Sequence, residues 1–190
     1  MAAASTSHDS HSTSNAGGWS TRRIAITALF CAVAAICTLF IEFPIIPGVT
    51  FLKYDPSAIV ALIAGFAFGP ATGAIVSILP YLVHLATESG IYGCLMAIMA
   101  TFSLVVPASI IYQRNKTFKG AIIGMVVGAI CCIVCALIAN MIVTPIYMGA
   151  TTEEVMALIP LLLIFNGAKI GINCIVTALV YKPISKALEN

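Results

Sequence analysis

Charge is what this chain has least of. Only 8% of its 190 residues are Asp, Glu, Lys or Arg, whereas 61% are hydrophobic, and the mean hydropathy is +1.07. A soluble domain is about 25% charged and about 45–50% apolar, so a soluble globule is excluded. The net charge of +2 provides no basic patch or stripe of the kind that marks a nucleic-acid binder. There is no G-x-x-x-x-G-K-[ST] run, so the chain does not hold ATP in a P-loop. H-E-x-x-H and the nucleophile elbow are missing too, and only His84 with Glu88 offers enzymatic chemistry a start. No carboxylate stands at the centre of an apolar run, as a proton relay requires. Any uphill transport by this chain therefore draws its energy from a partner.

Cysteine is present seven times, at 31, 37, 94, 131, 132, 135 and 174, always inside an apolar run. Cys131-Cys132-x-x-Cys135 has no histidine beside it and does not match a zinc knuckle. These thiols read as small hydrophobes, and no metal or cofactor is expected.

The solvent that suits this composition is lipid. Residues 1–21 are a different material, mostly Ser, Thr, His, Asn and Gly, and read as a disordered tail. From residue 22 onward the chain reads as one all-α membrane domain ending at 190. A spanning helix needs about 20 apolar residues. Six candidates follow: 24–43, a short pair at 57–69 and 71–87 joined at Gly69-Pro70, then 92–112, 118–140 and 155–181. Arg22-Arg23 before the first run resembles the start of a secretion signal. No small-residue cleavage site closes that run, so a retained first helix is expected.

Basic residues collect on the cytoplasmic side of membrane proteins. With both termini cytoplasmic, Arg22, Arg23, Arg114, Lys116, Lys119, Lys182 and Lys186 lie inside and only Lys53 and Lys169 do not. Glu42, Asp55, Glu88, Glu153 and Glu154 then fall on the outer side. Asp55-Pro56 reads as a helix start, Asp as a cap and Pro in the first turn. Gly65, Gly69 and Gly73, like Gly120, Gly124 and Gly128, recur at four-residue spacing, a stripe that lets helices approach closely in lipid.

An ionisable side chain in mid-helix costs about 2.5–3.5 kcal/mol on insertion scales and marks a functional position by default. Lys169 is one. Asn166, Lys169, Asn173 and Thr177 follow at steps of three, four and four, on one helical face. That face either makes interhelical hydrogen bonds or contacts a ligand, and a lysine there needs an anion or several acceptors. Asn140 stands at the outer end of the fifth run, with an amide suited to the edge of a heterocycle. Ser77, Tyr81, His84 and Glu88 form another stripe, in which His84 and Glu88 either pair or meet a ligand. Phe51 and Tyr54 can lid the space beneath the Pro44–Tyr54 loop, and Tyr81, Tyr92 and Met96 can wall it. Apolar walls with a few convergent polar groups describe a small-molecule site, here open to the outside.

Phe51-Leu52-Lys53-Tyr54-Asp55-Pro56-Ser57, then Ala61-Leu62-Ile63-Ala64-Gly65-Phe66-Ala67-Phe68-Gly69-Pro70, resembles the S components of energy-coupling factor (ECF) vitamin transporters. Asn140 and Phe165-Asn166-Gly167-Ala168-Lys169 extend the likeness, which covers most of 22–188 and is strongest to the riboflavin-binding branch. The resemblance implies a bacterial plasma-membrane protein that captures its vitamin from outside. It also implies a flavin ring held by Asn140, Asn166 and Lys169. Its expected partners are a transmembrane coupling subunit and two ATP-binding cassette ATPases, docked on small residues of the first helix such as Ala25, Ala28, Ala32 and Ala35. The chain departs from the family pattern at Pro80–His84 and Gly90–Gly93, which shape the far side of the pocket. An S component for another vitamin, a membrane-embedded enzyme and a scaffold subunit are the alternatives.

Overall fold

A computed structural model describes residues 19–49, 52–87, 90–149 and 151–189. Phe51, Glu88 and residues 1–18 of the polar tail lie outside them. Among the described residues, six α-helices alternate in direction: α1 Thr21–Phe40, α2 Ser57–Phe68, α3 Pro70–Ile78, α4 Gly90–Arg114, α5 Phe118–Met148 and α6 Thr152–Glu189. A 3-10 helix, Leu79–Ala86, continues α3. Strands β1 (Phe43–Pro44) and β2 (Lys53–Tyr54) pair antiparallel, Phe43 opposite Tyr54. The connections after α1, after the 3-10 helix and after α5 share one end of the bundle, the loop end. The turns after α2 and α4 share the other, which carries Arg23, Arg114 and Lys119 and is the basic end.

Each boundary has a local cause. Ser20 caps α1 by accepting the Arg23 N–H, and Thr117 caps α5 by accepting that of Gly120. Gly69 has φ +95°, a left-handed conformation that costs other residues steric energy, and Pro70 then opens α3. Pro80 has no N–H for the α-helical ladder, and the chain tightens there into the 3-10 form. In that geometry residues three apart eclipse, so Tyr81 and His84 stack, their ring centroids 5.7 Å apart. The fifth helix continues past Asn140 through Pro145 to Met148 and stops at Gly149, φ +63°.

α1, α4, α5 and α6 are long and apolar enough to cross a membrane, while α2 and the α3 segment are shorter apolar helices. This is a multi-pass membrane protein. Large apolar side chains on α5, among them Ile123, Val126, Ile130, Val134, Ile138 and Ile142, face outward at helical spacing, as lipid contact demands. Inside, Ala58, Ala61, Leu62, Val76, Leu104, Val105 and Ala108 are fully buried between α2, α3 and α4.

The glycine stripes do two jobs rather than one. A Cβ on Gly128 would stand 2.3 Å from the Leu104 carbonyl oxygen, and one on Gly124 2.6 Å from that of Ala108, so α4 and α5 touch backbone to backbone. Gly65 and Gly73 meet each other backbone to backbone, and both lie against the Ser109 side chain. Gly69 and Gly120 serve the turns instead: Gly69 by its φ, Gly120 by lying against the Asn115 carbonyl.

Candidate functional site

The polar face of α6 does turn inward. Asn173 and Thr177 are each 1% exposed, and the Lys169 side chain retains 13% of its exposure. The Thr152–Tyr181 stretch is 30 residues long, and Lys169 lies close to its middle. At that depth an ammonium needs a counter-charge, and Asp55 supplies it, with Oδ2 accepting from Lys169 Nζ at 3.0 Å.

That pairing corrects the placement of Asp55. Its sequence context puts the carboxylate at an outer helix start, yet Asp55 is 4% exposed and level with the centre of the longest helix. The cause is the length of α2: with only 12 residues, it leaves the connection from α1 to descend into the bundle. Tyr54, 5% exposed, strengthens that descent by donating to Asn173 Oδ1 at 3.0 Å, and its ring meets Phe43 edge-on. The capping role also holds, since Asp55 Oδ1 accepts the Ser57 N–H at 3.1 Å.

Behind Asp55 runs a chain of hydroxyls. Ser57 Oγ donates to Asp55 Oδ1, Tyr81 OH lies 2.6 Å from Ser57 Oγ, and Thr101 Oγ1 lies 2.9 Å from Tyr81 OH. Each hydroxyl has one proton to give. Because Ser57 gives its proton to the carboxylate, Tyr81 shares its own between Ser57 Oγ and Asp55 Oδ1, and Thr101 donates to Tyr81. The chain is thereby directed toward Asp55, and it links α4, the 3-10 helix, α2 and α6. Tyr81 OH is also 3.3 Å from Asp55 Oδ1. Placed on sequence grounds as a pocket wall, Tyr81 is 0% exposed and bonded into this network.

The remaining candidates divide. His84 Nε2 lies 2.6 Å from Thr38 Oγ1 of α1, a partner no spacing rule suggests. Its proposed pairing with Glu88 lies outside the described residues, as does Phe51. Asn140 and Asn166 are not drawn to Lys169 by direct bonds: each donates to its own helix, to Ala136 O at 2.7 Å and Leu162 O at 2.8 Å. Tyr92, at the loop end of α4, packs against Tyr147 with centroids 5.6 Å apart. Met96 is partly buried one turn further along α4. Among the described residues no group of three or more His, Cys, Asp or Glu is placed to hold a metal.

An ammonium has three donors, and Asp55 takes one. The protein itself therefore supplies the counter-charge of Lys169. The family profile "ECF transporter, substrate-specific component" matches residues 22–181. The chain belongs to that family. An S component is a substrate-binding part of a transporter and not an enzyme. This S component is 30% identical over 180 residues to the riboflavin transporter RibU of Streptococcus thermophilus, covering 88% of this chain and 85% of that one. It is 30% identical over 106 residues to RibU of Staphylococcus aureus, about half of each chain (55% and 56%). A solved S component of a bacterial ECF transporter superposes with a TM-score of 0.76 at 28% identity, covering 89% of this chain and 98% of that one.

Sequence reading passed over Asp55 as an ion-pair partner, and with it Ser57, Thr101 and Thr38. One signal was available: a lysine in mid-span implies an anion, and Asp55 is the carboxylate nearest to a helix short enough to bring it down.

Proposed function

We propose that this S component captures riboflavin from outside the cell and, with a transmembrane coupling subunit and two ABC ATPases, delivers it across the bacterial plasma membrane. The 30% identity to a riboflavin transporter over most of both chains carries this reading. The charge-balanced Lys169 inside the bundle supports it chemically, because an uncharged heterocycle needs hydrogen-bond donors without a net charge facing it. Lys169, Asn166 and Asn140 hold the polar edge of the ring, the two amides turning from their own helical carbonyls toward the guest. Asn173 and Tyr54 fix the floor of the loop, Tyr92 and Met96 supply apolar walls, and Tyr81 and His84 hold the frame behind them. Both termini face the cytoplasm, as the basic residues at one end favour, so the loop end faces out. On α1, Ala25, Ala28 and Ala32 are exposed and Ala35 is partly so, a small-residue surface on which the coupling subunit docks.

Detergent-purified protein should be yellow and release flavin fluorescence on denaturation. A colourless preparation that also leaves the fluorescence of added riboflavin unquenched overturns riboflavin as the substrate.

A further inference from the structure

The ion pair gives Asp55 a part in recognition. We infer that Asp55 is a positioning residue for the guest: it fixes the direction and balances the charge of the Lys169 ammonium, and is itself held by the hydroxyl chain Thr101–Tyr81–Ser57. The inference rests on the riboflavin reading above.

Three observations carry it. Asp55 Oδ2 holds Lys169 Nζ at 3.0 Å, while Oδ1 takes Ser57 N–H and Ser57 Oγ, so the two oxygens divide between lysine and scaffold. A lysine side chain has four flexible torsions, and a single fixed acceptor orients its two remaining N–H groups before a guest arrives, which reduces the ordering cost of binding. Asp55, Ser57, Tyr81 and Thr101 are each at most 4% exposed. The carboxylate is anchored from the side away from Lys169 and cannot follow the lysine if the lysine moves. A carboxylate needed only to cap α2 would require no ammonium and no tyrosine behind it.

The test is a double-mutant cycle on full-length protein in detergent, read by quenching of riboflavin fluorescence. D55N should weaken binding by at least about tenfold, yet change affinity by less than about twofold in the K169M background, because coupled residues are non-additive. The visible absorption band of bound riboflavin is a second readout. It should shift in D55N, where the ammonium charge is uncompensated, and return in K169M/D55N. Should D55N fail to fold, S57A and Y81F loosen the carboxylate without removing it, and each should weaken binding about two- to fivefold with Lys169 present and not at all with K169M. Equal losses in both backgrounds, with an unmoved band, make Asp55 a purely structural residue and overturn the inference while riboflavin binding stands. Wild-type protein that ignores riboflavin removes both.

Discussion

The two ends of the bundle are built from different materials. From mid-depth toward the loop end, an ion pair and a chain of hydroxyls run through the interior: Lys169, Asp55, Ser57, Tyr81 and Thr101, with Tyr54 bonded to Asn173 alongside. The basic end is closed by rings and backbone. Phe66 packs on Tyr112 at 4.6 Å, Tyr112 and Phe118 each meet Tyr181, and the two tyrosine hydroxyls lie 3.0 Å apart. Gln113 donates to Phe66 O, and Arg23 donates to Phe68 O at 2.8 Å and to Thr72. The polar groups named at both ends are bonded, while the Thr177 hydroxyl, one turn before Tyr181, is buried without a partner. With the proposed site on the loop side, variants there should change both binding and stability, whereas variants at the basic end should change stability alone.

The largest effect is expected from Lys169→Ala, which leaves the Asp55 carboxylate buried and unpaired. Breaking one partner of a buried pair costs about 3–5 kcal/mol, and riboflavin affinity should fall at least about tenfold as well. Thermal unfolding and fluorescence titration measure the two separately, and unchanged affinity would remove the lysine from the site. Next comes Gly128→Val, whose side chain meets the Leu104 carbonyl; overpacking of this kind costs about 1–3 kcal/mol. The variant should melt earlier and bind riboflavin as the wild type does. Arg23→Met removes a charged donor from Phe68 O and Thr72, worth about 1.5 kcal/mol, again visible in melting and not in affinity. Smallest is Tyr181→Phe, which deletes one hydroxyl contact worth about 1 kcal/mol. A basic-end variant that lowers affinity several-fold at unchanged stability would break the comparison.

Much of the fold was legible in the sequence because lipid imposes simple rules. Long apolar runs marked four full spans, Gly69-Pro70 marked the tight turn between two short ones, and the polar face of the last helix pointed inward as its spacing required. The site was legible in part. Asn173 is buried and Lys169 half-buried where the spacing put them, but Tyr81 and His84 are locked into structural bonds to Ser57, Thr101 and Thr38. Those partners lie 20 to 46 positions away along the chain, beyond the reach of any helical periodicity. The end of α5 was hidden for another reason: the apolar run marks the span only to residue 140, yet the helix runs on through Pro145 to Met148, and Gly149, a left-handed residue, ends it.

Composition and spacing alone determined a lipid-embedded helical bundle with a cation facing its interior, because hydrocarbon penalises every charge that lacks a reason to be there. Which anion answers that cation was decided only in three dimensions. A short second helix lets the preceding loop sink, and Asp55, 114 residues from Lys169 in the chain, arrives at the same depth.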